Sequence, residues 1–113
     1  MQLESRKYLE DVRQAVVAVA QFTAGRDFVQ YQQDALLRSA VERQFEIIGE
    51  ALRRVSALDP STALRITDHQ RIIAFRNVLS HAYGQVDHRL VWALVEGKLH
   101  TLREEVEFLL TEH

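Results

Sequence analysis

The feature that most constrains this chain is the scarcity of residues that break helices. One proline and four glycines are spread over 113 residues, in a sequence rich in alanine, leucine, glutamate, arginine and glutamine. Proline and glycine disfavour helices most strongly, whereas the abundant residues are good helix formers. The sequence therefore predicts an all-α protein, with its clearest break at Asp59-Pro60-Ser61.

Composition excludes several classes of protein. The chain has no cysteine, which rules out disulfides, cysteine-based zinc sites and thiol nucleophiles. The N-terminal charges are not followed by an apolar run, so we expect no secretory signal. No stretch approaches the roughly 18 consecutive apolar residues of a membrane helix. We expect a cytoplasmic protein without membrane contact, forming one domain over residues 1–113.

The charge balance is slightly acidic. A formal net charge of −2 argues against a protein that coats nucleic acid through bulk electrostatics. A local cationic site is still compatible with it. Twelve of the 14 cationic residues are arginine, whose planar fork suits phosphate and carboxylate groups. A GC-rich genome produces the same bias.

The first predicted helix runs from about residue 3 to residue 23. Apolar residues recur there at three- and four-residue spacing and extend around the cylinder, so we expect burial on more than one side. Gly25 fits the left-handed position that often follows a helix. Asp27 fits as the cap of a short helical turn. The predicted stripe consists of Val12, Val16, Val19 and Phe22.

A longer helix is predicted over residues 33–57. Gly49 lies near its middle, where glycine costs about 1 kcal/mol relative to alanine. A close crossing by another helix would compensate for that cost. The charged complement of the helix includes Glu50, Arg53 and Arg54. The predicted apolar stripe consists of Leu37, Val41, Ile48, Leu52 and Val55, and Phe45 and Ile47 widen it.

The third predicted helix follows a loop of about ten residues. Leu64 and Ile66 are expected to anchor that loop to the core. Thr67 and Gln70 match a capping box, so the helix is expected to begin near residue 68 and to end at Gly84. Its buried stripe should contain Ile72, Phe75 and Leu79.

The last predicted helix begins at Asp87, whose carboxylate suits a cap position. Val86 and Val91 have the spacing of a hydrophobic staple around it. One long apolar stripe follows, with Trp92 beside it as an anchor. Four principal helices joined by short connections predict an antiparallel four-helix bundle with a short extra helical turn.

Residues 76–83 read Arg-Asn-Val-Leu-Ser-His-Ala-Tyr and collect three chemically useful side chains. Arg76 supplies a permanent cation that fits phosphate. His81 supplies imidazole, the group that transfers protons most readily near neutral pH. Tyr83 adds a hydroxyl. On a helix, Asn77 would be a neighbour of His81, and Ser80 would be a neighbour of Arg76.

Helix geometry separates the two main candidates. Residues five apart in a continuous helix differ by about 140° in direction and about 7.5 Å in height. Arg76 and His81 therefore need either a loosened helix or a two-fold dimer in which both chains contribute to one pocket. At such a site His81 could transfer a proton while Arg76 stabilises charge. These parts suffice for attack of an RNA 2′-hydroxyl on its own phosphate without a metal.

The same residues also fit purely structural roles. An arginine near a helix end more often forms an ion pair, here with Glu50, or interacts with the helix dipole. A histidine near a helix end is more often a cap or a core residue. From the residues alone, catalysis, binding of a nucleotide or partner, and simple helix packing are all open.

The remaining polar residues carry weaker signals. The other histidines share no spacing with carboxylates that suggests a metal site, so we predict no metal and no cofactor and expect surface or cap positions. Several arginines are candidates for further phosphate contacts, with a solvated helix face as the alternative. The histidines expected at surface or cap positions are His69, His88, His100 and His113. The arginines that are candidates for phosphate contacts are Arg53, Arg54, Arg71 and Arg89.

The pattern Arg-x-x-x-x-His-x-Tyr at residues 76–83 resembles the signature of HEPN-domain proteins, specifically the HepT-like toxins of bacterial and archaeal toxin–antitoxin pairs. Ile-Ile-Gly-Glu-Ala at residues 47–51 resembles the second-helix signature of that family. The segment 86–92 resembles the start of its last helix. The resemblance covers most of the chain from about residue 34 onward.

This resemblance implies a metal-independent endoribonuclease of the HEPN fold. It implies a homodimer in which Arg76 and His81 of both subunits face a shared cleft that binds RNA. The supporting residues would be Asn77, Glu50 and Ser80. The alternative is a HEPN module that binds a nucleotide or a partner enzyme and cuts nothing.

The resemblance also implies a means of control. In a type VII-like toxin–antitoxin system, a minimal nucleotidyltransferase would act as the antitoxin and attach AMP units to Tyr83. Each AMP would add bulk and negative charge beside Arg76, and would therefore repel RNA.

Overall fold

The computed structural model describes residues 1–81 and 86–112, with residues 80 and 81 described by their backbone alone. The described residues form helices and turns without a strand, which confirms the all-α prediction. None of these helices is both long enough and apolar enough to cross a bilayer. The helices are α1 Leu3–Thr23, α2 Phe28–Gln33, α3 Ala35–Leu58, α4 Pro60–Ala63, α5 His69–His81, α6 His88–Gly97 and α7 Leu99–Thr111.

Helix α1 has the bounds that its apolar spacing predicted. Val12, Val16 and Val19 are buried, and the helix packs against both α3 and α7. Burial on more than one side is therefore confirmed. Phe22 is exposed, so its predicted place on the buried stripe is wrong. Gly25 adopts the left-handed conformation expected of it, with a φ of 72°.

Two aspartates start the next two helices. The Asp27 carboxylate accepts a hydrogen bond from the Gln30 N–H at 2.8 Å, and the Gln30 side chain accepts one from the Asp27 N–H at 2.9 Å. This pair is a capping box. Asp34 accepts a hydrogen bond from the Leu37 N–H at 3.0 Å. Because Asp34 ends α2 and caps α3, the long helix begins at residue 35 rather than at the predicted residue 33.

Helix α3 lies at the centre of the fold, since it packs against α1, α2, α4 and α5. The Phe45 ring meets the Phe75 ring of α5 edge-on, with 5.8 Å between centroids. Arg6 donates hydrogen bonds to the carbonyl oxygens of Leu110 and Glu112, which joins the start of α1 to the end of α7. The buried residues of α3 include Phe45 and the whole predicted stripe, whereas Ile47 is partly buried against the core. The stripe consists of Leu37, Val41, Ile48, Leu52 and Val55.

The connection after α3 is more helical than predicted. Pro60 occupies the first turn of α4, where a missing N–H costs no hydrogen bond. Asp59 caps that turn by accepting a hydrogen bond from the Thr62 N–H at 3.4 Å, and it also accepts one from the Thr62 hydroxyl at 2.7 Å. Ile66 is buried as expected, but Leu64 is exposed, so only one of the two predicted anchors holds this connection to the core.

Thr67 binds α7 instead of capping α5. Its N–H and its hydroxyl donate to the two carboxylate oxygens of Glu105, at 2.9 and 2.8 Å. The predicted capping box with Gln70 is therefore wrong. Asp68 takes a left-handed φ of 59°, and α5 begins at His69. His69 is the first residue of α5 and is buried, so the surface position, one of the two expected for it, is wrong.

The predicted last helix is divided into α6 and α7. Asp87 caps α6 as expected and accepts a hydrogen bond from the Arg89 N–H at 2.9 Å. The break falls at Lys98, whose side chain donates to Asp68 at 2.7 Å, next to the start of α5. The prediction of one uninterrupted helix is therefore wrong.

Trp92 anchors α6 against α2, as predicted. Its ring lies against Tyr31 with 5.1 Å between centroids, and both residues are buried. His88 meets the same tyrosine edge-on at 6.4 Å. These contacts fix the start of α6, the first described helix after residues 76–81.

Candidate functional site

Arg76 lies where α5 crosses α3 at Gly49. A Cβ atom added to Gly49 would stand 2.9 Å from Cγ of Arg76, still closer to its Cβ, and 3.4 Å from the carbonyl oxygen of Ile72. The close crossing predicted at Gly49 is confirmed. The predicted ion pair with Glu50 brings Arg76 to this part of α3, but spacing along the chain did not reveal that the base of its side chain lies against Gly49.

Glu50 and Asn77 hold the Arg76 guanidinium from two sides. Nη2 of Arg76 lies 3.5 Å from Oε2 of Glu50, which confirms the predicted ion pair. Nη1 donates to Oδ1 of Asn77 at 3.1 Å. The Arg76 side chain is 33% exposed, so a ligand can reach the guanidinium while its direction is restrained.

Glu50 also binds two arginines of its own helix. Arg53 donates to both carboxylate oxygens, at 3.1 and 2.8 Å, and Nε of Arg54 donates to Oε1 at 3.0 Å. The hydrogen bonds from Arg53 and Arg54, together with the charge of Arg76, lower the pKa of Glu50 to about 2. The carboxylate is therefore ionised at neutral pH.

The structure describes only part of residues 76–83. Every residue from 76 to 81 is helical. The side chains of Ser80 and His81 and the whole of Tyr83 lie outside the described residues, as does the helix end expected at Gly84. Their predicted roles stay predictions.

The other candidate residues have separate surroundings. The Arg89 guanidinium lies over the Phe28 ring, 4.5 Å from its centroid, as a cation–π contact. His100 is exposed, as expected, and lies 2.7 Å from Glu104 one turn further along α7. His113 lies outside the described residues. None of these contacts involves the Arg76 guanidinium, within the part of the chain that the structure describes.

An apolar groove with a volume of about 380 Å³ runs between α5 and α6. Val78 and Leu90 line it and are about half exposed. Arg71, Asp68 and Lys98 supply charged groups to its lining. Helix spacing alone did not predict this groove, because it depends on how α6 returns against α5.

Comparisons with known proteins point to one family. The model of the family described as "Ribonuclease HepT-like" matches residues 12–109. The "Probable ribonuclease HepT" of Thermococcus cleftensis is 31% identical over 113 residues, which cover 96% of this chain and 98% of that protein. The "Putative RNase MJ1380" of Methanocaldococcus jannaschii is 29% identical over 104 residues, covering 92% and 94%. No solved structure gave a significant match.

The matched region contains the helix crossing at Gly49, the Glu50–Arg76 ion pair and the whole of residues 76–83. It also includes the buried stripe of α3 and most of the remaining core. The resemblance seen in the sequence is thus confirmed over most of the chain. The chain belongs to the HepT-like ribonuclease family.

Proposed function

We propose that this ribonuclease cuts RNA internally, without a metal ion, at a site built on Arg76 and His81. The observation that carries the proposal is the fixed guanidinium of Arg76. Glu50 and Asn77 hold this guanidinium in place. Arg76 lies on α5, the helix that also carries His81 five residues further along. A restrained, partly exposed cation is suited to binding a phosphate, and a histidine is suited to transferring the protons of the reaction.

In the proposed reaction, the 2′-oxygen of one nucleotide attacks the adjacent phosphorus. A P–O2′ bond forms and the P–O5′ bond breaks, which leaves a 2′,3′-cyclic phosphate and a 5′-hydroxyl. One group takes the 2′-hydroxyl proton and another gives a proton to the leaving 5′-oxygen, and His81 serves in this transfer. Arg76 donates to the phosphate oxygens as their charge grows. Asn77 and Ser80 support this pair, and Glu50 positions Arg76.

The proposed enzyme is a homodimer with the four-helix HEPN topology. Residues 76–81 stay helical, which favours a composite site made by two copies over a loosened helix. The apolar groove beside α5 offers a surface for such a contact. Sedimentation of the active protein should give twice the chain mass. A fully active monomer would contradict this part of the proposal.

The proposed biological role is a toxin of the cytoplasm, held inactive by a minimal nucleotidyltransferase in a hetero-oligomer. Transfer of AMP to Tyr83 would place a phosphodiester two residues from His81, where it would compete with RNA for the arginine. Co-expression with the partner should add the mass of AMP to the wild type and not to Tyr83→Phe. An equal mass gain in Tyr83→Phe would contradict this assignment.

The cleavage claim is tested with single-stranded RNA in excess EDTA. His81→Ala should lower the rate by about 10²- to 10⁴-fold, the usual contribution of a proton-transferring group. His100→Ala is the matched control, because His100 is an exposed histidine of α7 paired with Glu104. A requirement for added metal, or equal rates in wild type and His81→Ala, would contradict the proposal. Tight nucleotide or partner binding without any cleavage would instead support the binding-module alternative.

A further inference from the structure

The cluster around Glu50 holds more positive charge than its carboxylate neutralises. The guanidinium groups of Arg53, Arg54 and Arg76 approach that carboxylate at 2.8, 3.0 and 3.5 Å. Three cations and one ionised carboxylate leave a local surplus of two positive charges. The chain as a whole has a formal net charge of −2. Such a local surplus on an acidic protein favours binding of an anion with more than one charge.

The arginines present unused donors on the solvent side. A guanidinium has five N–H bonds. Within the described part of the chain, Arg54 donates to Glu50 through Nε alone, and Nη1 of Arg53 has no acceptor. The side chains of Arg53 and Arg54 are 49% and 52% exposed. Planar N–H forks of this kind match phosphate oxygens.

Stabilisation of the helix does not explain the surplus. Exposed ion pairs contribute little to stability, and neighbouring guanidinium groups repel one another. The α1–α7 surface shows the balanced arrangement for comparison. There, Arg13 pairs with Glu10 at three-residue spacing and Arg103 pairs with Glu107 at four-residue spacing, so that each cation has its own carboxylate.

We infer that Arg53 and Arg54 bind the RNA backbone phosphates that flank the phosphate held by Arg76, an inference that rests on the proposed ribonuclease site. The crossing at Gly49 fixes the start of the Arg76 side chain against α3. Arg53 and Arg54 follow one turn later along α3 and meet the same carboxylate. The N–H groups that face Glu50 stay bound to its carboxylate, and the phosphates accept hydrogen bonds from the N–H groups that face solvent. These three arginines form the phosphate track.

The test is equilibrium binding of a fluorescent, single-stranded 2′-O-methyl RNA, which lacks the 2′-hydroxyl needed for cleavage. Binding of the full chain, without AMP on Tyr83, is measured by anisotropy over a range of salt concentrations. Arg53→Gln/Arg54→Gln removes two track cations. Arg13→Gln/Arg103→Gln removes two cations from ion pairs of the same spacing on α1 and α7.

Each phosphate contact on a single strand contributes about −0.7 to the slope of log K against log salt. We therefore expect Arg53→Gln/Arg54→Gln to flatten the slope by about 1.4, and the control pair to leave it unchanged. Arg53→Lys/Arg54→Lys should restore the slope, because lysine keeps the charge. Equal slopes in the two glutamine variants, or a slope that lysine does not restore, would overturn the inference.

The outcome is separable from that of the cleavage proposal. If the slope behaves as expected while His81→Ala still cleaves normal RNA at the wild-type rate, the phosphate track stands and the catalytic assignment fails. If His81→Ala abolishes cleavage while the two double variants bind alike, the catalytic assignment stands and the track is wrong.

Discussion

Gly49 controls the position of Arg76 because it has no side chain. The base of the Arg76 side chain occupies the space where a Cβ of residue 49 would lie. The guanidinium then reaches Glu50, the next residue of α3. Helix packing and the direction of the cation thus depend on the same contact.

We expect Gly49→Ala to lower the free energy of unfolding by about 1–3 kcal/mol, the usual effect of overpacking a close contact. Part of this loss is offset by up to about 1 kcal/mol, because alanine is the better helix former. RNA cleavage should fall as well, since Arg76 must move. Urea unfolding and a cleavage assay measure the two effects.

Gly97→Ala provides the matched control, because a Cβ at this helical glycine would meet no atom of the described residues within 4 Å. It should leave both stability and cleavage close to those of the wild type, or stabilise slightly. Equal stability of the two alanine variants would show that α5 does not approach α3 as closely as described.

At the scale of elements, the start of α5 is attached to the last two helices. Thr67 donates two hydrogen bonds to Glu105 of α7, and Asp68 pairs with Lys98 at the junction of α6 and α7. Both links hold the turn that sets the direction of α5. The position of Arg76 therefore depends on α7 as well as on α3.

We expect Glu105→Ala to lower the free energy of unfolding by about 1 kcal/mol, since it removes the acceptor of two hydrogen bonds made near the surface. Glu104→Ala is the control, because Glu104 is exposed and pairs with His100 on its own helix. It should change stability by less than about 0.5 kcal/mol. The difference between the two urea midpoints is the measurement. Similar midpoints would indicate that the link to Thr67 contributes nothing.

The elements that the sequence predicted correctly depend on local spacing. The bounds of α1 and the caps at Asp27 and Asp87 involve residues a few positions apart, which an apolar period or a capping pattern reveals. Thr67 and Gln70 also matched a local capping pattern, but the hydrogen-bond partner of Thr67 is Glu105, which is 38 residues away. Tertiary contacts of this kind override local propensity, and a single sequence gives no sign of them.

In the candidate site, too, some contacts were predicted from the sequence and others were not. The sequence predicted a close crossing at Gly49 and an ion pair between Glu50 and Arg76, and both are confirmed. It did not predict that Arg53 and Arg54 join the same carboxylate, although their spacing from Glu50 allows it. The groove between α5 and α6 depends on chain topology, which spacing does not encode.

At the scale of the whole molecule, ion pairs and caps make the fold sensitive to acid. Glu50 has a pKa of about 2, against an ordinary value of 4.5, chiefly because Arg53 donates hydrogen bonds to it. The stabilisation from its charged form is therefore complete above about pH 4.5 and is lost as the pH falls towards 2. The carboxyl groups with a lowered pKa are Glu10, Asp34, Glu50, Asp59, Asp68 and Glu112.

We expect the midpoint of thermal unfolding to fall between pH 4.5 and pH 2, and to fall less in Glu50→Gln, which has no charge to lose. Glu42→Gln should instead differ from the wild type above about pH 4.5, where it lacks the stability that the wild type gains as the pH falls from neutral. Burial raises the pKa of Glu42, so its stabilisation is present at low pH and is lost as the pH rises. Calorimetry at several pH values measures all three proteins. Parallel curves for the three would contradict these assignments.

The central claim is that Arg76 and His81 direct the RNA 2′-oxygen onto its neighbouring phosphorus. The most direct test is mass spectrometry of the ends left on a defined RNA after incubation in EDTA. We predict 2′,3′-cyclic phosphate and 5′-hydroxyl ends with the wild type, and a loss of about 100-fold or more of these ends with Arg76→Ala and with His81→Ala. Ends carrying a 3′-hydroxyl, or cyclic phosphate formed by either variant at the wild-type level, would contradict it.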